Sequence, residues 1–101
     1  MTVRSQVSSD GRGLTISVQG RFDFSAHRDF RASYARESID PAHYVVDLRE
    51  TTYLDSAALG MLLLLRDHAG GDSAEVKIVN CNPDVRRILT ISNFEQLFDI
   101  R

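Results

Sequence analysis

The sequence has one cysteine, Cys81, among its 101 residues. No intrachain disulfide can form, a cysteine-based zinc site lacks its ligands, and a lone thiol suits the reducing cytosol. Basic runs are missing as well. A formal charge of −2, with the arginines scattered, gives no electrostatic footprint for nucleic acid and nothing to hold the chain on an anionic membrane. Arg4, Gln6, Asp10 and Arg12 lie among small polar groups near the start, where a signal peptide would need an apolar core, so the expected location is the cytoplasm. The longest apolar run, Ala57 to Leu65, makes roughly 13 Å of helix, against the roughly 20 residues that cross a bilayer, so no direct membrane insertion is expected. Neither a GxxxxGK phosphate loop nor a GxSxG nucleophile elbow is present, and His27, His43 and His68 stand on separate elements without metal-ligand spacing. The sequence therefore points to no cofactor, no metal and no enzyme.

What is present suffices for one compact domain spanning residues 1–101. A hydrophobic content of 43% lets a chain of this length bury about two-thirds of its unfolded surface. Thr2 to Ser8 carries only Val3 and Val7 as apolar anchors and reads as an edge strand. Asp10-Gly11 is a hairpin signal, and Leu14 to Gln19 alternates apolar with polar residues as a half-buried strand does, so the two segments should pair antiparallel. Gly20 should end that strand. Ser25 is a candidate cap for a helix of about Ala26 to Ser38 that carries Ala26, Phe30 and Tyr34 on one face, and Asp40-Pro41 blocks its continuation.

Tyr44 to Leu48 is a nearly continuous apolar run that fits a strand buried on both faces. Asp47 interrupts it, and the carboxylate either lies near Ser56 or is a half-exposed group at the strand end. A short polar loop then leads to Asp55 and Ser56, directly ahead of a long apolar helix that should run from Ser56 to about Ala69 and stop at Gly70-Gly71. Either residue can cap it, because the first four N–H groups of a helix have no internal partner and carry partial positive charge. Leu59 and Met61 to Leu65 cover more than the roughly 100° stripe that one sheet face requires. The surplus is either covered by neighbours or offered to a partner beside Ser56. Glu75 to Val79 reads as another parallel strand, and Asn82-Pro83 caps a short helix with Val85, Ile88, Leu89 and Ser92 on one face. Asn93 should end that helix, leaving Phe94, Leu97, Phe98 and Ile100 as a last strand or a docking turn.

Asp55 to Gly60, DSAALG, follows a buried strand and opens a helix. In that order it resembles the switch signature of the STAS family, the bacterial anti-sigma factor antagonists, whose usual form is Asp, Ser, Ser or Thr, Gly, Leu, Gly. Gly20 to Asp23, GRFD, is similar to the family's Gly, Glu, Leu or Ile, Asp. Asp23 matches the acid near the switch serine and Arg21 replaces the usual Glu. The run CNPDVRRILTISNFEQLFDI resembles the family's closing segment, and the extra C-terminal helix that many relatives carry is not expected. The resemblance covers nearly the whole chain and is nearest to the stand-alone anti-anti-sigma factors of secretion and biofilm control.

The resemblance implies an α/β domain of STAS fold, a small mixed, mostly parallel sheet with an N-terminal hairpin and helices mainly on one face. It also implies partner switching. The unphosphorylated protein would bind and sequester an anti-sigma factor, a serine kinase would phosphorylate Ser56 to release it, and a phosphatase would reset it, a response-regulator phosphatase or kinase being one form these could take. Arg21, Asp23, Asp55, Ala57, Ala58, Leu59 and Gly60 would then form the switch region and partner-binding surface. Ala57, where relatives often have a second hydroxyl, leaves Ser56 as the motif's sole acceptor, and Ala58 in place of the common Gly makes a firmer helix start. The other role open to the family is a constitutive regulatory subunit of a membrane transporter complex, without phosphorylation.

Overall fold

The computed structural model describes residues 2–101. In chain order the elements are β1 (Thr2–Val7), β2 (Gly13–Phe22), α1 (His27–Tyr34), β3 (His43–Asp47), β4 (Thr51–Leu54), α2 (Ser56–His68), β5 (Val76–Val79), α3 (Pro83–Ile91) and β6 (Asp99–Ile100). Strand order is β1-β2-β3-β5-β6, with β4 attached to β2. The β1–β2 hairpin is antiparallel and every other pairing is parallel. Asp10 shapes the hairpin by accepting from the Arg12 amide at 3.0 Å and the Ser8 hydroxyl, and Gly11 supplies the positive φ of 74°.

Apart from the return to β4 beside β2, the strands β2, β3, β5 and β6 follow one another in one direction across the sheet. Right-handed crossovers therefore place the helices on one face. Leu14, Ile16 and Val18 on β2, Tyr44 and Val46 on β3, and Val76 and Ile78 on β5 form the floor of the core, closed by Phe30 of α1, Leu62 and Leu65 of α2 and Leu89 of α3. Thr15, Ser17, Val45, Asp47, Lys77 and Val79, on the opposite side, are only partly buried. The two-sided burial expected for β3 is thus corrected: its burial alternates, because no helix crosses the second face.

Three further expectations change. Gly20 does not end β2; the strand leaves β3 after Ser17 and runs beside β4 from Gly20, which at φ 87° sits at a register shift. Residues expected as polar loop form β4, since the Thr51 amide and hydroxyl both find acceptors, at Leu48 and Val18. Helix α1 stops at Tyr34 rather than Ser38, because Arg36, Glu37 and Ser38 are exposed and offer no apolar face that would repay further helix. The terminal segment is both things it could be, a docking turn at Phe94–Gln96 followed by the short β6.

Candidate functional site

The site is built where β2 and β4 end together. Past the Gly20 shift, Arg21 pairs with Tyr53 and Phe22 with Leu54. Pleating sends Phe22 and Leu54 into the core and leaves Arg21 and Tyr53 outside. The Gly20 amide donates to the Glu50 carbonyl at 2.9 Å, and the Asp55 amide reaches the Phe22 carbonyl at 3.4 Å. On the other side of β4, the Asn82 side chain caps α3 by accepting from the Val85 amide at 2.8 Å, and its Nδ2 donates to the Thr51 carbonyl at 3.0 Å. The segments 20–25 and 51–60 are thereby fixed beside one another.

Asp55, not Ser56, caps α2. Its backbone is extended and its Oδ1 accepts from the Ala58 amide at 3.0 Å, an arrangement typically worth about 1 kcal/mol over alanine. That frees Ser56 to stand exposed as the first helical residue, with Ala57 half-buried, Ala58 buried, and Leu59 and Gly60 half-buried behind it. Asp23 does the same work nearby. It accepts from the Ser25 amide at 3.0 Å and from the Ser25 hydroxyl and so caps the single turn Phe24–Ala26 that leads into α1, whereas α1 itself has no side-chain cap, from Ser25 or any other residue. Those bonds, and after them Arg21 at 3.5 Å, hold the Asp23 carboxyl below the usual carboxylate range.

Sequence reasoning missed two aromatics. Tyr53 is exposed beneath the Arg21 guanidinium, whose carbon lies 4.3 Å from the ring centroid, and Phe24 is 62% exposed on the turn after Asp23. TTYL is a β-favouring tetrapeptide, which signals the strand β4 but not the pairing that brings Tyr53 under Arg21. Asp47 is not brought to Ser56 by any contact; it accepts from the Arg49 amide and the Asn80 side chain at the end of β3.

Along α2, Gly60 stands four residues after Ser56, and Leu63 and Leu64 follow at three and four residues, so these positions share one side of the helix. Leu63 and Leu64 are 41% and 50% exposed, which answers the question of the surplus apolar residues: Met61, Leu62 and Leu65 go to the core and these two do not. A Cβ built on Gly60 meets nothing within 4 Å. Gly60→Ala is accordingly expected to raise stability by about 0.5–1 kcal/mol, measured by urea denaturation, because a mid-helix glycine costs that much and no neighbour resists the methyl. A loss of stability would show that the bare spot is needed by the fold itself.

Among the described residues, no cluster of histidine, cysteine and acids is arranged to hold a metal, and no helix is long and apolar enough to cross a membrane.

Comparison with known proteins identifies the family. The family model described as "Mlab, STAS domain" matches residues 5–99. The chain belongs to the STAS domain family. A STAS-domain containing protein of Pseudomonas aeruginosa (strain UCBPP-PA14) is 64% identical over 100 residues, covering 99% of each chain. An antisigma-factor antagonist STAS domain from Rhodobacter sphaeroides is 32% identical, with a TM-score of 0.56 over 78% of this chain and 85% of its own. The anti-sigma factor antagonist SpoIIAA in its unphosphorylated form shares the fold, with a TM-score of 0.71 over 99% of this chain and 87% of its own, at 13% identity. The mixed sheet with helices on one face is therefore the STAS fold, and in this STAS domain Arg21, Asp23, Tyr53, Asp55 and Ser56 converge at one end of it.

Proposed function

We propose that this STAS domain is an anti-sigma factor antagonist working by partner switching. The unphosphorylated form binds and sequesters an anti-sigma factor, a serine kinase modifies Ser56 to release it, and a phosphatase restores it. The observation that carries the reading is the placement of Ser56. It is exposed at the first position of α2, its neighbour Asp55 already serves as the cap, and the partly apolar strip of Gly60, Leu63 and Leu64 runs away from it on the same side.

Physical chemistry says what such a switch can do. A phosphoserine there carries close to two negative charges at the positive end of a helix, where the folded domain tolerates them. The modification must then act on the partner interface rather than on the fold. Arg21, Asp23 and Tyr53 form the polar rim of that interface, with Ala57, Leu59 and Gly60 half-buried beside the apolar strip and Ala58, which is buried, supporting them from beneath.

The test is intact-mass measurement with fragment mapping on protein taken from its own cells with phosphatases inactivated, together with identification of what co-purifies. A phosphate on Ser56 that varies with growth condition, and an anti-sigma factor bound only to the unmodified form, are the expected results. Ser56 unmodified in every condition, with transporter subunits co-purifying, would instead identify a constitutive regulatory subunit.

A further inference from the structure

We infer that Arg21 is the internal counter-ion of phosphorylated Ser56, its guanidinium turning from Asp23 to the phosphate and so changing the surface a partner meets. The inference rests on Ser56 being the modified residue. It starts from a count: in the segments 20–25 and 51–60 that form the site, Arg21 is the one cation, against Asp23 and Asp55. Both carboxylates already accept backbone amides, Asp23 from Ser25 and Asp55 from Ala58.

The position of Arg21 follows from the strand pairing. It sits directly across from Tyr53, with backbones about 5 Å apart, and Tyr53 precedes Ser56 by three residues. The side chain crosses the Tyr53 ring at 4.3 Å and brings Nε to 3.5 Å from Asp23 Oδ2, so it leans toward the strand ends where α2 begins. Its hold there is slight. The side chain is 65% exposed and meets Asp23 through one long contact rather than a two-pronged pair. A phosphate offers more charge than a carboxylate and three acceptor oxygens matched to the guanidinium fork. His27, the first residue of α1, packs against Phe24 with ring centroids 5.5 Å apart.

Two surface changes would follow from one modification. Asp23 loses its cation but keeps its Ser25 bonds, and the Tyr53 ring is uncovered. A partner that had docked on the Arg21–Tyr53 pair meets a rearranged rim as well as added charge.

The test uses the full chain with phosphoserine installed at position 56 by genetic encoding, so that no kinase is needed. Titrating the phosphate by phosphorus NMR should give a midpoint lower in the wild type than in Arg21→Gln by roughly 0.2–0.7 pH unit, the difference shrinking as salt is raised. Arg21→Lys should recover part of the shift, since the charge remains and the fork is lost. Arg28→Gln, which removes an exposed arginine of α1 outside the site, should leave the midpoint where it was. Equal midpoints in wild type and Arg21→Gln, or an equal rise in Arg28→Gln, would overturn the inference. Because the phosphate is installed rather than found, this result is separate from whether cells phosphorylate Ser56, which the mass mapping decides.

Discussion

Phe22→Ala is expected to destabilise the domain by about 3–5 kcal/mol, a large part of the 5–15 kcal/mol typical of a small protein. The side chain is fully buried, packs on Phe30 with ring centroids 5.0 Å apart, and sits at the last paired step of β2 and β4. Its loss leaves a cavity under the junction itself, where its own carbonyl receives the Asp55 amide. Urea denaturation measures the cost. Hydrogen exchange should show the consequence locally, with faster exchange at the Ala58 amide, which depends on Asp55 being held in place. Phe24→Ala, two residues on, should change stability by no more than about 0.5 kcal/mol, because that ring is mostly in solvent. If the two substitutions cost the same, the division into a buried Phe22 and an exposed Phe24 is wrong.

That contrast shows what the sequence makes legible and what it does not. Period-two alternation in Leu14 to Gln19 and the helical spacing of Ala26, Phe30 and Tyr34 are properties of single segments, and all six apolar residues they place inside are inside. The Asn82-Pro83 cap is equally local and sits where its chemistry requires. Burial on the second sheet face is different. Val45 lies in an apolar run, yet its exposure depends on the direction in which three crossovers step across the sheet, which no local window contains.

The site divides the same way. DSAALG marks α2 and its acidic start, because capping is decided within a few residues. Asp23 capping the turn ahead of α1 was within reach of local reasoning, since aspartate is at least as good a cap as serine. Tyr53 was not. Its place under Arg21 exists only because β2 changes partners at Gly20, and a glycine in a strand signals an end or a bulge with equal force until the pairing is known. Of the two readings of Asp47 the strand-end one holds: it is half-buried at the end of β3, and β4, which the sequence reading took for a loop, lies between it and Ser56 in the chain.

The largest functional effect should come from Ser56→Asp, and it should run against stability. An acidic residue in the first turn of α2 interacts favourably with the helix dipole, so the variant should be no less stable than the wild type and up to about 1 kcal/mol more stable. Its affinity for the anti-sigma partner, under the proposed function, should nonetheless fall at least tenfold, which is about 1.4 kcal/mol. A charge placed at the edge of a closely packed contact must be stripped of water, and Asp23 and Asp55 beside it add like charge. Ser56→Ala removes only an exposed hydroxyl and should bind within about threefold of the wild type, while becoming insensitive to the kinase. Thermal melts and titration calorimetry on the same preparations give both numbers. A drop in affinity accompanied by an equal loss of stability would mean the aspartate disturbs the helix start, and the switch would then lie in the fold. Equal affinity in the Asp and Ala variants would remove Ser56 from the mechanism. Opposite signs, firmer helix and weaker complex, are what a modification at a pre-capped helix end predicts, because Asp55 has already satisfied the backbone and the added charge finds its cost only at the partner.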